Sequence, residues 1–131
     1  MQIVITDWAL QSYIKLSQQF TETEYSNLLR PNVELLSDYP HHQKFKDDKF
    51  WGPCKDKGGK IIREGYKMKW HNIGPGNVQL RLLVVITDET AYLCNAYVKN
   101  NANKDFREMA KLKDKISLIK EGRYIFRGEL L

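Results

Sequence analysis

The chain has 131 residues, 42% of them apolar, with 5 Phe, 7 Tyr and 3 Trp and a formal net charge of +5. This is one domain's length with ample core material, which excludes a disordered chain. No apolar run approaches the roughly 18–20 residues that cross a bilayer, and Met1 to Asp7 lack the basic start and apolar stretch of a secretion signal, so a single domain over 1–131 in the cytoplasm is expected.

In chain order, residues 2–6 read as a short strand, and Thr6 or Asp7 can cap a helix carrying Trp8, Ala9, Tyr13, Leu16 and Phe20 at helical spacing. Thr21 and Thr23 offer the next cap, before a helix with Leu28, Leu29, Val33 and Leu36, which Pro31 should break or kink. Residues 37–65 hold Pro40, Gly52, Pro53, Gly58 and Gly59 among many charges and read as a long loop, with a short strand near Lys60–Arg63 as one option. Within it, Phe45, Phe50 and Trp51 are expected to anchor the loop; stacking on RNA bases is the alternative.

The segment Tyr66-Lys67-Met68-Lys69-Trp70-His71 alternates apolar and basic residues strictly, the pattern of a half-buried strand. A Gly/Pro turn at 72–77 leads to a second strand over Val78–Thr87, and Asp88-Glu89 turns into a third over Ala91–Lys99. Asn103 can cap a last helix with Phe106, Met109, Ala110, Leu112, Ile116 and Ile119 as its buried stripe, closed by Gly122. Tyr124 to Phe126 form either a short strand or a packed tail. The order predicts an α+β fold, an antiparallel sheet centred on 78–87 with two N-terminal helices and a C-terminal helix packed on one face.

Because side chains alternate along a strand, the sheet's two faces can be sorted. One collects Tyr66, Met68, Trp70, Leu80, Leu82, Val84, Tyr92, Cys94 and Ala96. The other collects Lys67, Lys69, His71, Gln79, Arg81, Asn95, Tyr97 and Lys99, with Leu83, Val85 and Leu93 pointing the same way and requiring some cover. Residues 1–40 sum to −3, residues 41–70 to +5 and residues 71–131 to +3, so the cations gather where this face is built. Such a face suits a polyanion, since Lys and Arg release counterions when they meet phosphates. Cleaving RNA without metal needs a base for the 2′-hydroxyl, cations for the phosphoryl charge and an acid for the leaving oxygen, and Lys, Arg, His and Tyr can divide those roles. The bland alternative is a solvated face whose lysines block edge aggregation.

Lys67-Met68-Lys69, Leu80-Arg81-Leu82-Leu83-Val84-Val85, the Asp88-Glu89 turn, Tyr97-Val98-Lys99-Asn100 and the helix with Glu108, Met109 and Ala110 together resemble the RelE/HigB toxin superfamily, above all its HigB-like branch, over roughly residues 66–115. The resemblance implies a RelE-like fold and a toxin of a type II toxin–antitoxin system. Such a protein is an endoribonuclease that cleaves mRNA on the ribosome without metal or cofactor, under control of a tight antitoxin partner. It implies Arg81 and Lys99 as catalytic cations and matches Lys67 and Lys69 to the family's basic strand; on the same face, His71 or Tyr97 is expected to assist and Gln79 and Asn95 to bind RNA beside the lysines. The alternative is a RelE-like module that binds RNA, the ribosome or an antitoxin without cutting. Asn100 stands where the family has a second lysine, and Asn101-Ala102-Asn103 where it usually has a proline. Cys54 and Cys94 are too few for a disulfide framework and are expected as free thiols, and His41-His42 with Cys54 lacks zinc spacing.

Overall fold

The structure, a computed structural model, describes residues 1–130. Strand β1 (Gln2–Thr6) runs directly into helix α1 (Asp7–Leu16), with the Thr6 side chain accepting the Ala9 N–H as N-cap. A second helical stretch begins at a capping box between Thr21 and Glu24, then passes through α2 (Glu22–Glu24), a π turn (Tyr25–Leu29), α3 (Arg30–Glu34) and a 3₁₀ turn (Leu35–Asp38). Pro31 does not break this stretch. It sits in the first turn after the π segment, where the widened register tolerates a residue with no N–H to donate.

The long 37–65 loop contains more structure than expected. After a 3₁₀ turn at Gln43–Lys46 comes a strand, β2 (Trp51–Lys55), and β3 already begins at Ile61 and runs to Ile73. Phe50 and Trp51 are buried, and Trp51 stacks on Tyr66 with ring centroids 5.2 Å apart, so these aromatics anchor the segment. Strands β4 (Val78–Thr87) and β5 (Thr90–Val98), helix α4 (Ala102–Lys120) and β6 (Phe126–Glu129) complete the chain.

All six strands form one sheet in the order β2-β3-β4-β5-β1-β6, with β4 well inside it. The sheet is mixed, because β1 pairs parallel to β5 while the other pairings are antiparallel. The purely antiparallel expectation missed this pair, since nothing local to residues 2–6 indicates which distant strand they join. Past the end of β1, the edge of β5 is completed by α1, where Ser12 Oγ accepts the Ala96 N–H at 2.9 Å.

The helices do not share one face. On the first face, Leu29, Val33 and Leu36 of the second helical stretch and Ala9 of α1 pack with Met68, Trp70, Leu80, Leu82 and Val84. On the second, Met109, Leu112, Ile116 and Ile119 of α4 pack with Ile62, Leu83, Val85 and Cys94. The sequence had left Leu83 and Val85 in need of cover, and α4 supplies it. Burying four such side chains contributes about 1.5–3 kcal/mol each. The helix ends in a Schellman arrangement, with Gly122 N–H donating to Ile119 O, Arg123 N–H to Leu118 O, and Gly122 at φ 70°.

A second correction concerns β5. A bulge between the Leu83–Asn95 and Val84–Leu93 pairs shifts the strand's phase, so Leu93 joins the first core while Tyr92 and Cys94 turn to the α4 side. Strict alternation over Tyr92 to Ala96 cannot foresee the extra residue. No helix among the described residues is long and apolar enough to cross a membrane.

Candidate nucleic-acid interface

Antiparallel register places Lys69 of β3 opposite Arg81 of β4, and Arg81 opposite Tyr97 of β5. The next row joins Lys67, Leu83 and Asn95. Arg81 and Leu82 face opposite sides, as adjacent residues in a regular strand must, and Lys67, Lys69, Arg81, Tyr97 and Lys99 share the α4 side.

The organising residue is one that strand alternation could not reveal. Asp105, in the first turn of α4, accepts hydrogen bonds from Tyr97 Oη and from Lys67 Nζ (3.0 Å), and Lys99 Nζ lies 3.7 Å away. Burial alone would raise the Asp105 carboxyl. Hydrogen bonds from Tyr97 and Lys67 and the charges of Lys67 and Lys99 outweigh it and hold the group below its ordinary value. Its spacing was legible all the same, since the half-buried Asp105 lies one turn before Met109, on the side of the buried Met109, Leu112, Ile116 and Ile119.

Arg81 is nearly enclosed, 7% exposed, and its Nη1 donates to the Trp70 and Leu80 carbonyls. Burial lowers its affinity for a proton, while Asp105 and Tyr97 act the other way. Lys69 is also lowered, by burial first and then by the charges of Lys67 and Arg81; its Nζ donates to the Asp48 carbonyl at 2.8 Å. Tyr97 is 3% exposed, and burial, the hydrogen bond to Asp105 and that residue's charge all push its hydroxyl up. It offers no open ring face for stacking on a base.

The remaining candidates divide. His71 is exposed, with Nδ1 3.0 Å from Gln79 Oε1 and Nε2 2.7 Å from the Lys49 carbonyl. Gln79 also donates to Asn72 Oδ1, and its carbonyl accepts the Lys99 N–H. Thus His71, Gln79 and Lys99 form one end of the face. Asn95 donates to Glu108 Oε2 at 2.6 Å, on the far side of Tyr97. The structure therefore brings seven of the eight expected residues into one connected surface and sets Asn95 toward α4 and Glu108.

Lys67 and Lys99 pair with Asp105 and Arg81 feels its charge, while Lys69 lies among these cations and beside a second carboxylate, Asp48. Such a cluster can hold further negative charge, and its half-buried cations would interact with that charge more strongly than solvated ones. Cys54 and Cys94 are free and buried. No group of three or more His, Cys, Asp or Glu among the described residues is placed to hold a metal ion. No protein-family model matches the chain, and no curated protein matches it.

Proposed function

We propose that the protein binds RNA through the face formed by Lys67, Lys69, Arg81 and Lys99. The observation that carries this reading is the gathering of four cations against two carboxylates, Asp105 and Asp48, on a strand-built surface. With the RelE/HigB resemblance of residues 66–115, the finer form of the proposal is a RelE-like toxin of a type II system that acts on mRNA at the ribosome in the cytoplasm, restrained by an antitoxin protein. In that form Lys69 and Lys99 take the phosphoryl oxygens and Arg81 fixes their field from beneath. His71, exposed at the end of the face, is the group placed to move a proton. Asp105 occupies the position a phosphate would take, so cutting requires the first turn of α4 to yield.

One observation favours a second reading, binding without cleavage. Arg81 and Tyr97 are both nearly enclosed, and Arg81 Nη1 is already committed to the Trp70 and Leu80 carbonyls and Tyr97 Oη to Asp105. The two readings separate in one experiment. The protein is incubated with a defined mRNA, with and without ribosomes, in EDTA. Fragments ending in 2′,3′-cyclic phosphate, lost in Arg81→Ala and Lys99→Ala, support cleavage by the RNA's own hydroxyl. Activity abolished by chelator and restored by magnesium overturns that mechanism. Salt-sensitive RNA binding without fragments establishes the second reading, and binding indifferent to salt overturns both.

A further inference from the structure

A second cationic site lies on the other side of α4, outside the surface just described. A cleft of about 640 Å³ opens between α1 and α4, lined by Trp8, Gln11, Lys15, Lys104, Lys111 and Lys115 among others. Its carboxylates are both engaged. Asp7 is paired with Arg127 at 2.7 Å, and Glu108, 5% exposed at its side chain, accepts from Asn95 and lies 3.5 Å from both Lys104 and Lys111. Two lysines thus share one buried carboxylate, while among the described residues no carboxylate lies within ion-pair distance of Lys15 or Lys115, and Lys115 feels Glu108 only at longer range.

Lys115 differs from an ordinary surface lysine. Its Nζ sits 5.4 Å from the centroid of the Trp8 ring, and burial lowers its hold on the proton, with the nearby Lys111 charge adding to that. An aromatic face steadies an ammonium group without neutralising it, so the charge remains available to a ligand. A half-desolvated cation that an aromatic ring supports gains more from an incoming anion than one in bulk water. Tyr97 lines this cleft and also donates to Asp105, which makes the cleft a neighbour of the first site.

The geometry points to the α1–α4 cleft as a second phosphate-binding site, in which Lys111 and Lys115 hold phosphodiesters of the same single-stranded RNA that meets Lys67, Lys69 and Lys99. The occupant, though not the site, rests on the RNA reading. An RNA strand then crosses the first turn of α4, with phosphates held on both sides of it.

The test measures the salt dependence of binding for a 12-nucleotide oligouridylate. Each phosphate contact on a single strand contributes a slope of about 0.7, so Lys111→Ala combined with Lys115→Met should flatten the slope by about 1.4. Lys15→Ala combined with Lys111→Ala, two exposed positions, guards against a folding defect and should flatten it by about 0.7, the share of Lys111 alone. In parallel, inorganic pyrophosphate is titrated while the Trp8 indole N–H resonance, assigned with Trp8→Phe, is followed. Wild-type binding with flattened slopes in the variants is the expected result. Unchanged slopes overturn the cleft site and leave the RNA reading standing. If the wild type binds no RNA, a Lys115-dependent shift of Trp8 by pyrophosphate keeps the phosphate site and overturns RNA as its occupant. Absence of both responses overturns the site as well.

Discussion

Lys67 Nζ, in the middle of β3, donates to Asp105 Oδ2 in the first turn of α4 at 3.0 Å. This contact ties the helix that covers half of the second sheet face to the basic half that it leaves open. It also means that a cation of the proposed RNA face is already neutralised in part by the protein's own carboxylate.

Asp105→Asn should therefore tighten RNA binding by about tenfold at low ionic strength, an advantage that shrinks as salt screens it. The same change should cost stability, about 1–3 kcal/mol for losing charged hydrogen-bond partners. The folded protein holds this carboxyl below its ordinary value, so its contribution is fully present above the unfolded value near 3.8 and disappears as pH falls through the lower folded value. Urea titrations at neutral pH and in strong acid should show the variant's deficit at the first and its loss at the second. Equal RNA affinity in both proteins would contradict the idea that Asp105 competes with phosphate.

Cys54 and Cys94 are both pushed up to about 12, chiefly by burial. The thiolate is the reactive form, so neither should react readily with a thiol-specific disulfide reagent at pH 8 in the native protein, and both should react once it is unfolded. A fast-reacting thiol in the folded state would show that the α4 core opens.

Gly74 closes the β3–β4 turn at φ 72°, and a Cβ built there would come within 1.8 Å of the Gln19 carbonyl oxygen. Its N–H donates to Glu24, the same carboxylate that completes the capping box with Thr21. Gly74→Ala should destabilise the protein by at least about 2 kcal/mol through backbone strain and collision. Chemical denaturation is the measurement, and a change under 0.5 kcal/mol, roughly that of an ordinary surface substitution, would refute the close approach.

What was readable in the sequence divides along physical lines. The Tyr66–His71 alternation and the β-branched run around Arg81 place two strands and sort their faces, because a period of two is a local property. The side on which α4 lies, the β1–β5 pairing and the bulge before Val84 depend on distant partners and left no local mark. Trp51-Gly52-Pro53-Cys54 was hidden for another reason: its Gly and Pro read as loop, yet a sheet-edge strand tolerates both. Asp105 was in plain view at the head of the α4 stripe, but a carboxylate there reads as helix capping until the lysines opposite it are placed.

The last prediction uses Lys69. Its ammonium is disfavoured by burial and by the charges of Lys67, Arg81 and Lys99, so it loses its proton at lower pH than the usual 10.5. Because the folded value is depressed, the unfolded chain binds this proton more tightly than the folded protein does: the penalty on folding is full below the folded value and is relieved as pH rises through the interval between it and 10.5, so stability rises with pH there. RNA binding should run the opposite way. A phosphate beside Lys69 favours the charged form, so binding draws a proton in and weakens as pH climbs through that interval. Arginine keeps its charge throughout, so Lys69→Arg should lose Lys69's share of the pH dependence and keep that of Lys115, while Lys69→Met should be weaker with the same reduced dependence. Oligonucleotide affinity measured from pH 7 to pH 10.5 at constant ionic strength decides it. A wild-type curve parallel to that of Lys69→Arg would mean that no phosphate comes near Lys69, and the RNA track would have to be drawn elsewhere on the protein.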